Sequence, residues 1–286
     1  MIEDLSTCLA ALYLRGLPRP APLVRRRWPK VVSVLRQHDT GLAGAAELLR
    51  KHGLWEEAVA LDTPVLIEAA SAEVTSGRVL TSVDDGYPIR WLERLADGAP
   101  PALWISGSVS KTRYIGIVGS RQVDDATRRF AAAIGSEAVE LGFGVVSGGA
   151  IGCDQAGAQG GLTAGGVVVE ILPHGIDLYR TQDRCGLAVC PPHEEFTRAN
   201  AMERNTLIYA ASEQTVVVHA RFKEGGTWIG AAEANRRRLC QLIVRDDGSP
   251  GNRALISLGG TGIEHPEQLG QALERTPPQP GLFHIG

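Results

Sequence analysis

RYIGIVGSRQVDDATRRFAAAIGSEAVELGFGVVSGGAIGCD, residues 113 to 154, decides the fold. A short apolar run, Tyr114–Val118, breaks at Gly119-Ser120-Arg121. An amphipathic segment follows, with Phe130, Ile134, Ala138 and Leu141 at helical spacing as its expected buried face. A second apolar run, Gly144–Ser147, breaks at Gly148-Gly149-Ala150-Ile151-Gly152. The order is strand, glycine turn, helix, strand, glycine turn. In a parallel α/β sheet such turns fall at the carboxyl edges of the strands, where ligands bind. Each turn is expected to aim backbone N–H groups and a helix N-terminus at one place, which suits a phosphate.

The alternation continues outward. Strands are expected at 102–106, 114–118, 143–147, 166–172, 187–190, 214–219 and 239–245, and helices near 123–141, 153–164, 199–212 and 227–238. The implied class is α/β: a doubly wound, mostly parallel sheet covered on both faces. Residues 1–83 read as a small N-terminal helical domain, from Leu5, Leu9, Leu12 and Tyr13, then Val31, Val34 and Leu35, then Ala45, Leu48 and Leu49, then Ala58–Leu61 and Val65–Ala72. Thr81–Pro101 reads as a connector at the head of the main domain, 84–247. The extension 248–286 reads as an edge strand at Leu255–Leu258, a short helix at Pro266–Leu273 and a Pro-rich tail, Thr276–Gly281.

Composition bounds the function. The chain has 286 residues, 44% hydrophobic and 21% charged, with a formal net charge of −3. A nucleic-acid ligand therefore needs a local positive patch. Arg25-Arg26-Arg27 points around a helix and reads as a solvated face. Five unpatterned cysteines imply reduced thiols and a cytoplasmic setting, and the seven histidines do not cluster with them, so no metal is expected. No signal sequence opens the chain, and the most apolar strand, Gly166–Leu172, is too short to span a membrane and carries Glu170.

Gly116-x-x-Gly119-Ser120-Arg121 is not the dinucleotide fingerprint, and the acid expected at the end of the next strand is missing, so NAD, FAD and other cofactors are not expected. Arg121 is placed to reach a phosphate, with a sheet-edge salt bridge as the alternative. Gly148 and Gly149 are read as letting a ligand approach bare backbone, Asp154 as favouring the helix dipole, binding a ribose or orienting Arg121. In Phe196–Ile208, Arg204 and Asn205 mark a site edge, Arg198 either joins it or forms a surface salt bridge, and Met202, Leu207 and Ala211 are expected in the core. Gly225-Gly226-Thr227 forms a third glycine turn, with Thr227 as an N-cap and Trp228 either stacking a base or joining the core. No Ser-His-Asp triad, P-loop or deaminase signature is present.

From Tyr87 to Ile243 the chain resembles the DNA-processing protein A (DprA/Smf) family. The resemblance rests on the order of Tyr87-Pro88, Pro100-Pro101-Ala102-Leu103-Trp104-Ile105-Ser106-Gly107, Ile117-Val118-Gly119-Ser120-Arg121, Val145–Asp154, Gly165-Gly166, Leu172–Tyr179, Arg204–Ile208 and Gly225-Gly226-Thr227 before Ala231-Ala232. It implies an extended Rossmann-like domain that binds single-stranded DNA without catalysis, dimerises, and helps load a RecA-type recombinase in natural transformation. The DNA-binding positions it implies are Gly119, Ser120 and Arg121 with the adjoining pocket: Gly148, Gly149, Asp154, Arg204, Asn205, Gly225, Gly226 and Thr227. Departures are Gln155–Gln159 where the family places a His and a basic residue, Val189-Cys190-Pro191-Pro192, Tyr179-Arg180, Arg245-Asp246, and the lack of a C-terminal winged-helix segment. Met202-Glu203-Arg204-Asn205 and Gly225-Gly226-Thr227-x-x-Gly230-x-x-Glu233 are also similar to the two motifs of the LOG phosphoribohydrolases, with a different spacing around the glycines. That likeness implies a nucleotide sensor, or an enzyme cleaving nucleoside monophosphates with Arg204 and Glu233.

Overall fold

The computed structural model describes residues 2–14, 22–37 and 41–275. Thr276–Gly281 lies outside the described residues, as do the side chains of Tyr13 and Arg25–Arg27. The chain forms two compact units. The first comprises 1–106, 174–179 and 187–195, the second 107–173, 180–186 and 196–286.

The first unit holds helices α1 (Ile2–Leu14), α2 (Pro22–Gln37), α3 (Gly41–Lys51), α4 (Trp55–Leu61) and α5 (Pro64–Thr75). Strand β1 (Val79–Thr81), helix α6 (Ile89–Leu95) and strand β2 (Ala102–Ser106) follow, with β1 antiparallel to β2. Leu9 and Leu12 of α1 and Leu49 of α3 are fully buried, so the apolar stripes read from the sequence do face inward. Thr81–Pro101 is more than a connector. Trp91 and Leu95, four apart, bury one side of α6, and the Tyr87 hydroxyl donates to the Pro100 carbonyl.

In the second unit the chain runs β3 (Tyr114–Val118), α7 (Asp125–Glu140), β4 (Gly144–Ser147), α8 (Cys153–Thr163), β5 (Val168–Leu172), the first half of β6 (Cys185–Ala188), α9 (Arg198–Ala211), β7 (Gln214–Val217), α10 (Gly225–Arg236) and β8 (Gln241–Arg245), then α11 (Pro250–Ser257), β9 (Thr261–Ile263) and α12 (Leu269–Arg275). The strand order is β6-β5-β4-β3-β7-β8-β9. Five pairings are parallel: β3 with β4 and β7, β4 with β5, β7 with β8, and β8 with β9. Ile115, Ile117, Val145, Val216 and Ile243 meet Phe130, Ile134 and Ala138 of α7 and Ala158 of α8 on one face. The alternate residue Gly116 faces Ser212 and Thr215 on the other. Two-residue periodicity thus divides each strand between two helical layers, and the doubly wound α/β expectation holds. Helices α7 and α8 meet backbone to backbone: a Cβ on Gly135 would lie 2.1 Å from the Gly157 carbonyl oxygen.

Three expectations need correction. Leu255–Leu258 is not an edge strand, because 250–257 is helix α11 and only Leu255 of its apolar residues is fully buried; the edge strand is β9. Leu141 ends α7 as its C-cap and is 38% exposed, off the buried stripe of Phe130, Ile134 and Ala138. The strand expected at 187–190 ends at Ala188 and starts two residues earlier. Among the described residues no helix is long and apolar enough to cross a membrane, and no group of three or more His, Cys, Asp or Glu is placed to hold a metal. All five cysteines are buried, and none is in a disulfide among the described residues.

Candidate functional site

Neighbouring strands β3 and β7 send the chain in different directions: β3 leads to α7 on one face, and β7 leads to α10, which packs with α9. A crevice opens wherever strand order reverses in this way. Here it is a cavity of about 870 Å³. Its walls are the β3–α7 bend, α9 and the start of α10. Gly119, Ser120, Arg121, Asp154, Arg204, Asn205, Gly225, Gly226 and Thr227 line it; Gly148 and Gly149 do not.

The reason lies in Asp154. Its carboxylate accepts the Gly119 N–H at 3.1 Å and also the Gly148 and Ala150 N–H groups. Both bends therefore converge on an anion, as the glycine pattern suggested, but the anion is part of the chain. Burial pushes this carboxyl up to about 6, against the Arg204 charge and the three N–H groups that hold it down. Asp154 is 6% exposed, and the guanidinium beside it is that of Arg204 rather than that of Arg121.

Arg204 is 3% exposed on the inner side of α9. Its Nη1 donates to the carbonyls of Gly148 and Ile171, the latter at 3.2 Å, and its Nε has no partner among the described residues. Burial pulls its proton affinity down, and Asp154 opposes that. A Cβ at residue 148 would sit 2.0 Å from Arg204 Nη1, so Gly148 makes room for an internal guanidinium and not for a ligand. Gly149 backs onto the Glu170 carboxylate, which pairs with Arg184 at 3.0 Å. Gly152 has φ 101° and packs on the first bend, where a Cβ would lie 2.5 Å from the Ser120 carbonyl oxygen.

Ser120 has a partner that sequence reasoning missed. Its N–H donates to the His219 carbonyl at 2.9 Å, its hydroxyl donates to the same carbonyl at 3.1 Å, and His219 Nδ1 lies 3.0 Å from Ser120 Oγ. His219 follows β7, one residue before Ala220, and nothing in its local sequence signals a contact across 99 positions.

The third bend keeps its donors. Helix α10 begins at Gly225, two residues before the expected N-cap Thr227, and Glu224 in the cap position makes no side-chain cap. The Glu224 side chain thus takes none of the first-turn N–H groups of α10. Asn205 Nδ2 reaches the Gly226 carbonyl at 3.4 Å. Trp228 is half-buried edge-on to Phe222, with ring centroids 5.2 Å apart. Met202 is 40% exposed on the cavity wall beside Phe196 and is not core. The cavity charges are Arg121, Arg198, Arg204 and Arg221 against Asp154 and Glu224. Arg121 and Arg198 are exposed and have no carboxylate within ion-pair distance among the described residues; Arg221 lies 3.9 Å from Glu224.

Glu233 does not join Arg204. It lies outside the cavity lining and pairs with Arg236 at 2.6 Å, so the two residues expected to cleave a nucleotide are not assembled together.

Residues 78–274 match the family model described as DNA recombination-mediator protein A. The chain belongs to that family. A Mycobacterium tuberculosis protein bearing the name DNA processing protein DprA is 26% identical over 173 residues, covering 52% of this chain and 44% of its own. The chain thus spans less than half the length of that curated relative. Among solved structures, DNA processing protein A of Streptococcus pneumoniae superposes with a TM-score of 0.69 at 19% identity, covering 96% of this chain and 97% of its own. A Helicobacter pylori DNA processing protein A, whose structure concerns its single-stranded DNA binding mode, gives 0.59 at 18% identity, covering 70% and 97%. These two likenesses show the same fold.

Proposed function

We propose that the cavity binds the phosphate backbone of single-stranded DNA and performs no catalysis. The observation that carries this is the excess of guanidinium over carboxylate in a cleft that also receives the uncapped start of α10. Arg204 and Asp154 neutralise one another inside the wall, which leaves Arg121 and Arg198, and Arg221 once it gives up Glu224, for the ligand. Phe196, Met202 and Ile229 add apolar surface on the same wall, suited to unstacked bases. Family membership supports the wider reading: a cytoplasmic homodimer that delivers the strand to a RecA-type recombinase in natural transformation.

Anisotropy of a labelled oligothymidylate across a salt series tests the reading. Three available arginines predict a log–log slope of about −2, taking about 0.7 per phosphate on a single strand. Arg121→Ala lowers the slope by about 0.7 and weakens binding at every salt concentration. Binding that ignores salt, or an R121A protein indistinguishable from wild type, would refute it.

A further inference from the structure

A serine hydroxyl has one proton, and Ser120 directs it inward. With neutral His219 carrying its proton on Nε2, that proton goes to Nδ1 at 3.0 Å or to the His219 carbonyl at 3.1 Å. Ser120 lines the cavity, yet toward the cavity it offers lone pairs, which a phosphate repels. Protonated His219 changes this. Nδ1–H must then donate to Ser120 Oγ, and the hydroxyl proton is released to choose between the carbonyl and a ligand. The carbonyl retains the Ser120 N–H at 2.9 Å, so it loses little. A phosphate oxygen is the stronger acceptor because it is charged.

We propose, on the phosphate reading of the cavity given above, that His219 is a positioning residue for Ser120. Its protonation turns the hydroxyl into a phosphate donor and tightens binding of a nucleic-acid strand at acid pH. Ser120 on the β3–α7 bend contacts its ring; Cys153 of α8 packs on Gly119 beside the His219 N–H, with Asp154, Arg245 and Arg128 acting on that thiol; and Asp247 after β8 is reached through Asn252, which accepts the Ala220 N–H at 2.9 Å. Cys153 stays neutral, since burial pushes its thiol up to about 12. The comparison spans the interval from pH 8 to 5.5. Asp154 titrates within it, so the His219 contribution is read as a difference between variants.

The experiment is anisotropy of a labelled oligothymidylate at fixed salt, at pH 8 and pH 5.5, on the full chain, with the affinity ratio between the two pH values taken within each protein. That ratio is insensitive to a general loss of active protein. Wild type is expected to gain about tenfold at pH 5.5, the worth of one hydrogen bond to a charged acceptor. His219→Gln should lose most of this gain. Ser120→Ala keeps the imidazolium and loses the hydroxyl, so its gain should fall to about threefold. An H219Q ratio equal to that of wild type overturns the role of His219. An S120A ratio equal to that of wild type overturns its action through Ser120. If wild type binds at neither pH, the phosphate reading itself falls, and this role with it.

Discussion

Gly148→Ala adds one methyl group to a backbone that tolerates it, since residue 148 is not in the left-handed region. The methyl carbon would nevertheless lie 2.0 Å from Arg204 Nη1, 2.5 Å from its Cζ and 2.7 Å from Asp154 Oδ2. Ordinary contact begins near 3.4 Å, so the guanidinium must move by more than about 1 Å. It has nowhere enclosed to go. Moving it breaks the bonds to the Gly148 and Ile171 carbonyls and withdraws the positive charge from buried Asp154. Breaking a buried ion pair costs about 3–5 kcal/mol, and G148A should lose that much. Arg204→Met removes the same contacts and should cost a similar amount alone. In G148A/R204M the added methyl group meets only a flexible thioether chain and the Asp154 oxygen, so the second substitution should add less than about 1 kcal/mol. The coupling energy is therefore about 2–4 kcal/mol, with the double variant far more stable than the sum of the singles predicts. Urea midpoints for the four proteins measure it, provided the slopes agree. Additivity within about 0.5 kcal/mol would show that Gly148 is glycine for some other reason, and the account of Arg204 as the occupant of that space would fail.

Asp154 should titrate near 6, read from its side-chain carboxyl carbon resonance; a midpoint below 4 would contradict its burial. Because the folded value lies above the unfolded one, this group's contribution to stability is complete below pH 3.8 and is lost as pH rises through 6, about 3 kcal/mol in all. Glu170→Gln takes one of two carboxylates from Arg184, only 10% exposed, and leaves Asp183 at 2.9 Å, so it should cost about 1 kcal/mol by urea unfolding; a loss above about 3 kcal/mol would show that Asp183 does not hold the guanidinium. Gly152→Ala combines φ 101° with a collision against the Ser120 and Arg121 carbonyls, so it should destabilise by about 2 kcal/mol or more and weaken oligonucleotide binding through the displaced first bend; unchanged affinity would separate that bend from the ligand.

The framework was legible because two periods alternate in the sequence. Tyr114–Val118 and Ala102–Ser106 have their expected limits as strands, since each is a short apolar run closed by glycine or proline signals. Residues 250–257 were not legible in that way. Eight residues with two or three apolar ones fit a strand edge or a two-turn helix equally well, and the helix prevails with Pro250 at its first turn. Thr227 has the chemistry of a cap, but the left-handed Gly225 starts α10 two residues sooner. Met202 was assigned to the core by its apolar side chain, whereas on α9 it falls on the cavity side while Leu207 and Ile208 point inward. The convergence of three bends was readable from glycine spacing. The destination of their N–H groups was not, because Asp154 and Arg204 are 50 positions apart and only the folded sheet brings both to Gly148.

That destination changes what the bends are for. Had the Gly119, Gly148 and Ala150 N–H groups faced solvent, a phosphate could take them directly, and removing any one arginine would matter little. With Asp154 already holding them, the first two bends form a fixed wall, and the attractive charge has to come from side chains and the α10 terminus. The lining carries four arginines against two acids on a chain of net charge −3, so attraction is confined to the cavity mouth while the rest of the surface opposes a polyanion. Beyond a Debye length, about 10 Å at 0.1 M salt, a strand meets little of either field. Contact, rather than long-range steering, must then account for affinity. It follows that the Arg204–Asp154 pair acts by holding the bends that present Arg121, and that its loss should weaken binding through disorder of the wall while leaving the number of phosphates engaged by the remaining arginines unchanged.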